Sequence, residues 1–119
     1  MCKQELEQRL LNNKYIVRKM KELGILENYT GFYFIVDILD LLINQMVEVK
    51  SFSKDIYPKV AKIYNKDVTT IERNIRNLIN HIWNKDLNSN LLQIWKEETK
   101  PSCCKFIYLI KNYVMMQIV

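Results

Sequence analysis

The sequence predicts an all-α protein of about six helices, folded as one domain over residues 1–119. Three observations carry this expectation. The chain holds only two glycines and two prolines, too few for the many turns of an all-β fold. Hydrophobic residues make up 49% and charged residues 26%, the balance of a globular chain with one core. Apolar residues recur at steps of three and four, the helical period, in segment after segment.

The elements follow in order. Residues 3 to 22 read as a first helix with an imperfect stripe of Leu6, Leu10, Tyr15, Ile16 and Met20, stopped near Gly24. "ENYTG" is a short turn. A second helix runs from Gly31 to about Val47. Its apolar residues (Phe32, Phe34, Ile35, Ile38, Leu41, Leu42, Ile43, Met46) are dense enough for a central helix buried on more than one face. A third helix opens near Ser53, an N-cap type before Lys54, and carries Tyr57, Val60, Ala61 and Tyr64, with Pro58 tolerated near its first turn. "NKD" at 65 to 67 is a tight turn. Asp67 or Thr69 caps the fourth helix, Thr69 and Glu72 having capping-box spacing, and that helix runs to about Trp83. "NKDLNSN" is a loop, and a short helix follows around Leu91 to Lys96. The last helix starts at Pro101 and Ser102 and turns Phe106, Ile107, Ile110, Tyr113 and Val114 inward. The third and fourth helices with their turn form a helix-turn-helix over about 53–83.

Several function classes fall away. The most apolar run, "FYFIVDILDLLI", is broken by Asp37 and Asp40, short of the roughly 18 unbroken apolar residues of a membrane helix. The first ten residues mix both charge signs without an apolar centre, unlike a signal peptide, so the cytoplasm is the default compartment. Three cysteines (Cys2, Cys103, Cys104) lack framework spacing for disulfides, and with His81 as the single histidine they make no metal-ligand pattern. There is no glycine-rich phosphate loop, and His81 has no nucleophile or carboxylate at motif spacing. The expectation is no enzyme, no catalytic residue, no cofactor, no metal and no small-molecule substrate.

The charge points elsewhere. Between Lys50 and Lys85 stand eight basic and three acidic residues, which is the whole of the chain's net +5. Such local excess is the footprint of a phosphate-backbone binder. On a helical projection of the fourth helix, Val68, Ile75, Leu78, Ile79 and Ile82 fall within about 80° of Ile71. Thr69, Arg73, Arg76, Asn77 and Asn80 cluster on the other side, flanked by Thr70 and Glu72. In a helix-turn-helix the second helix enters the DNA major groove. There arginine can fork onto guanine, asparagine can pair with adenine, glutamate can accept from cytosine, and threonine can bond to a base or phosphate. Thr69, Thr70, Glu72, Arg73, Arg76 and Asn77 are therefore candidates for reading bases. Lys59, Lys62, Lys66 and Asn80 are candidates for holding phosphates. The competing class is a helical protein-interaction module, supported by the aromatic second helix and the tail "YVMMQIV". It gives no reason for the charge to gather around one turn-linked helix pair.

The segments "LGIL…TGFYFIVDILDLL", "YPKVAKIYN", "TTIERNIRNLI", Trp83 and "KPSCCKFI" closely resemble the C-terminal effector domain of the bacterial sporulation-initiation response regulators, the stage-zero sporulation regulator family. The resemblance covers about residues 15 to 119. It implies a six-helix domain with an internal helix-turn-helix, and transcription control through short boxes on double-stranded DNA. The boxes are often in tandem, with two domains bound as a homodimer-like pair. By position, Glu72 and Arg73 match base-reading residues, and Arg76 matches a basic position suited to base or phosphate. The family's usual arginine is replaced here by Thr70, and residues 26 to 30 depart from its usual loop. No receiver domain is present in the chain. It is either a standalone effector or one separated from a longer regulator. The alternative within this resemblance is a module that pairs with a related regulator and binds DNA weakly or not at all.

Overall fold

The computed structural model describes residues 3–84, 91, 94, 95 and 99–118. Among them are five α-helices and no strand, as the all-α expectation requires. Helix α1 (Lys3–Glu22) buries Ile16 and Met20. It stops where expected, at Gly24, whose φ of 84° is a left-handed conformation that glycine adopts without a Cβ clash. Its closing bonds are Gly24 N–H to Lys21 O (2.9 Å) and Ile25 N–H to Met20 O (3.1 Å).

Helix α2 (Phe32–Leu39) is the buried central helix, but it does not continue to Val47. It widens into a single π turn over Asp40–Asn44 and ends there, with Val47 N–H bonded back to Leu41 O and Met46 at φ 52°. Asp40 is only 2% exposed, and a buried carboxylate needs donors. Asn44 Nδ2 (2.7 Å) and Gln45 Nε2 (3.0 Å) donate to it, so residues expected to extend the helix instead turn their amides onto this acid.

The third helix also starts differently. Ser51 is extended, a wide π turn occupies Phe52–Ile56, and α3 proper is Tyr57–Tyr64 with Pro58 in its first turn. Ser53 is exposed within the π turn and is not the cap. The N-cap is Ser51, without a side-chain cap bond, and Asp55 reaches back from within the turn, its Oδ2 accepting from Lys50 N–H (2.7 Å) and Ser51 N–H (3.0 Å). A carboxylate accepts two backbone donors more strongly than a neutral hydroxyl does. These bonds hold the Asp55 carboxyl below its ordinary range.

Asn65 ends α3 at φ 53° and ψ 47°, and lets Lys66 N–H bond to Ala61 O at 2.9 Å. Asparagine tolerates this left-handed conformation and glycine does so freely, whereas a β-branched residue meets the preceding and following backbone. Asn65→Val is expected to lower the unfolding free energy by about 1–2 kcal/mol, with Asn65→Gly near neutral. Urea titration of both variants checks this, and an undiminished midpoint for Asn65→Val would refute it.

Helix α4 (Val68–Asn84) and helix α5 (Cys103–Ile118) complete the core. Ile71, Ile75, Leu78, Ile79 and Ile82 of α4 bury against α2, α3 and α5, and Val68 is half-buried. Phe106, Ile107, Ile110 and Val114 of α5 turn inward as expected, with Tyr113 half-buried. The start of α2 crosses α4 at backbone distance: a Cβ at Gly31 would stand 2.7 Å from Asn74 O. Tyr64 donates its hydroxyl to Asp37 and packs edge-on to Phe34 (4.8 Å), which ties α3 to α2. Leu91 and Ile94 are helical, in line with the expected short helix. The rest of that helix, the loop 85–90, Lys85, Cys2 and the side chains of Leu6 and Leu10 lie outside the described residues.

Candidate nucleic-acid interface

The start of α4 is set by Asp67. Its Oδ1 accepts from Thr70 N–H at 2.7 Å, and the Thr70 hydroxyl also donates to it. These two bonds hold the Asp67 carboxyl below its ordinary range. The cap is therefore Asp67, one of the two expected alternatives. The Thr69–Glu72 capping box does not form, because Glu72 turns instead to Arg76, four residues on, and pairs with it.

The buried isoleucines fix the rotation of α4 and so the direction of its polar side. Thr69, Arg73, Arg76 and Asn77 are exposed, and Thr70, Glu72 and Asn80 are half-buried. This polar side has three parts. Thr69 and Arg73 sit on its crest. Glu72, Arg76 and Asn80 line one flank, a groove of about 730 Å³ shared with Lys50, Tyr57, Lys100 and the start of α5. Asn77 lines the other flank, a hollow of about 210 Å³ shared with Asn28, Tyr29, Thr30, Asn74 and His81. The Tyr29 and His81 rings meet edge to face at 4.9 Å. The loop of Asn28, Tyr29 and Thr30 thus lies beside α4.

The expected phosphate residues are not gathered in one place. Lys59, Lys62 and Lys66 are all exposed, but Lys59 and Lys62 line a separate hollow with Glu48, Lys54 and Asp55. Asn80 accepts a hydrogen bond from the Lys100 amine, so its amide oxygen is engaged within the protein.

Sequence reasoning missed Lys50, Lys100 and Cys103 as neighbours of the α4 face. Lys50 stood in the charge tally, and Lys100 and Cys103 in the quoted "KPSCCKFI". Packing of α5 on α4 brings Lys100 and Cys103 to this flank, and the segment before the π turn brings Lys50, neither of which periodicity reveals. Burial pushes the Cys103 and Cys104 thiols up, with Arg76 acting against this at Cys103, so both stay protonated at neutral pH. Among the described residues no group of three or more His, Cys, Asp or Glu is placed to hold a metal ion. No helix there is long and apolar enough to cross a membrane.

The arrangement is a helix, a three-residue turn and a second helix whose exposed side offers a forked cation at Arg73, an acid–base pair at Glu72 and Arg76, and amides at Asn77 and Asn80. Residues 16–114 match the family model described as the sporulation initiation factor Spo0A C terminal.

Proposed function

We propose that this chain, which belongs to the Spo0A C-terminal family, binds double-stranded DNA sequence-specifically by laying the polar side of α4 in the major groove. The family is one of DNA-binding effector domains in sporulation control, and not a family of enzymes. The observation that carries the finer reading is the exposed crest of Thr69 and Arg73 on a helix whose opposite side is locked in the core. In this reading Thr69, Arg73 and Asn77 face bases, Thr70 and the Glu72–Arg76 pair stand at the edge of that face with Arg76 toward a phosphate, and Lys66 stands at the entering turn. Two copies pair on tandem boxes. The exposed Tyr108, Met115 and Met116 of α5 favour, as a second reading, a protein-pairing role with weak DNA binding.

Selection of binding sites from random duplex DNA tests the reading. The expected result is a defined box, bound more tightly per site when two copies stand in tandem. Thr70 refines the prediction. Its hydroxyl is committed to Asp67, so it adds little base reading of its own. Thr70→Arg loses that bond and gains a fork able to reach guanine. The variant is expected to select a box sharpened at one base pair by about 1 kcal/mol, the low end for such a contact. Identical boxes from both proteins would show that this position does not face a base. No enrichment of any box by the natural chain would favour the pairing role.

A further inference from the structure

We propose that the groove between α4, residues 50–53 and the start of α5 seats the sugar-phosphate backbone of one DNA strand, held by Lys50 and Lys100. The inference rests on the DNA-binding reading and adds to it two residues and a polarity.

A helix in the major groove has a strand's backbone along each of its flanks. The two flanks of α4 differ in charge. The groove on the α5 side carries Lys50, Arg76 and Lys100 against the single acid Glu72, which Arg76 already neutralises. Among the described residues, the hollow on the other side is lined by no Lys, Arg, Asp or Glu. One strand thus meets Lys50, which also acts on the Asp55 carboxylate outside the groove, and Lys100, and the other meets amides, hydroxyls and the Tyr29–His81 ring pair. Lys100 is not loose in this groove, because its amine is oriented by the bond to Asn80, two turns along α4 from Glu72. The groove adjoins the crest, since Glu72 and Arg76 of its wall stand next to Arg73 and Thr69 along α4. A polyanion lying there runs on past Arg73, which suits a duplex backbone better than a compact free anion.

Two measurements on the full chain test this. The first is the salt dependence of binding to the selected duplex. Lys50→Ala/Lys100→Ala should reduce the slope of log affinity against log salt by roughly 1.8, about 0.9 for each phosphate released, without changing the selected box. Lys14→Ala/Lys21→Ala removes the same charge from α1 and should move the slope far less. The second uses Cys104, which is exposed in the groove wall. Bound duplex should slow its labelling by a maleimide at least severalfold, read by peptide mass. If the natural chain binds DNA but the groove variant loses no more slope than the α1 variant, the seat is wrong. Unprotected Cys104 at saturating DNA overturns it equally. If the natural chain binds no duplex at any salt, the DNA-binding reading falls, and this inference with it.

Discussion

Arg73→Ala is expected to weaken binding to the selected duplex by about 1–3 kcal/mol, the worth of an arginine forked onto guanine. Binding to unrelated DNA should fall much less. Arg73 stands on the crest of α4, opposite Ile71 and Ile75, so its removal exposes no core and the circular dichroism spectrum should not change. Arg76→Ala should behave differently. Arg76 is paired with Glu72, and removing it leaves an uncompensated carboxylate pointing toward phosphates. Its loss should be spread over all sequences, specific and unrelated alike. Mobility-shift titrations of both variants on both duplexes check the contrast. Equal behaviour of the two variants would mean that the crest and flank of α4 are not distinct in the complex.

Gly31→Val is expected to destabilise the fold by about 3 kcal/mol, at the upper end for overpacking a closed interior. The reason is steric and not conformational, since the φ of Gly31 is −81°, open to any residue. A Cβ there would stand 2.7 Å from Asn74 O, 3.0 Å from Asn74 C and 3.1 Å from Ile75 Cα. These are backbone atoms of α4, which cannot swing aside as a flexible side chain does. The helix that carries the proposed reading residues must move, or α2 must. Thermal and urea unfolding check the stability. The same shift predicts that the surviving folded fraction binds DNA less tightly, because Asn74 and Asn77 move with the backbone. An unfolding midpoint equal to that of the natural chain would refute the close approach.

Much of this was legible in the sequence where one element decides its own structure. The isoleucine spacing of α4 names its buried side, and that in turn names the polar side. Asn65 in "YNKD" marks the turn. The scarcity of glycine and proline marks the class. What was not legible depends on partners outside the element. Asp40 takes its donors from Asn44 and Gln45 and ends α2 early, and Asp55 rather than Ser53 collects the free N–H groups before α3. In both cases a carboxylate outcompeted a local propensity. At the site, the crest was readable from α4 alone. The flanks were not, because the loop of Tyr29 and Thr30 on one side and Lys50 and Lys100 on the other arrive from distant parts of the chain. Lys59 and Lys62, expected from their closeness in sequence to hold phosphates beside α4, line another hollow for the same reason.

The division of α4 into a buried ridge and an exposed crest also bears on how such a protein can diverge after gene duplication. Ile71, Ile75, Leu78 and Ile79 have almost no latitude, since each change there leaves a void or a clash in the core. Thr69 and Arg73 touch none of that interior, and exposed substitutions away from special features usually shift stability by no more than about 0.5 kcal/mol. Two copies of the chain can therefore drift toward different operators while inheriting the same interior unchanged. Thr70 is the exception on that surface, because its backbone N–H and hydroxyl both serve Asp67. Replacing it couples a new operator preference to a weaker helix start, so a lineage exploring other residues there meets a stability cost that changes at Thr69 or Arg73 do not bring.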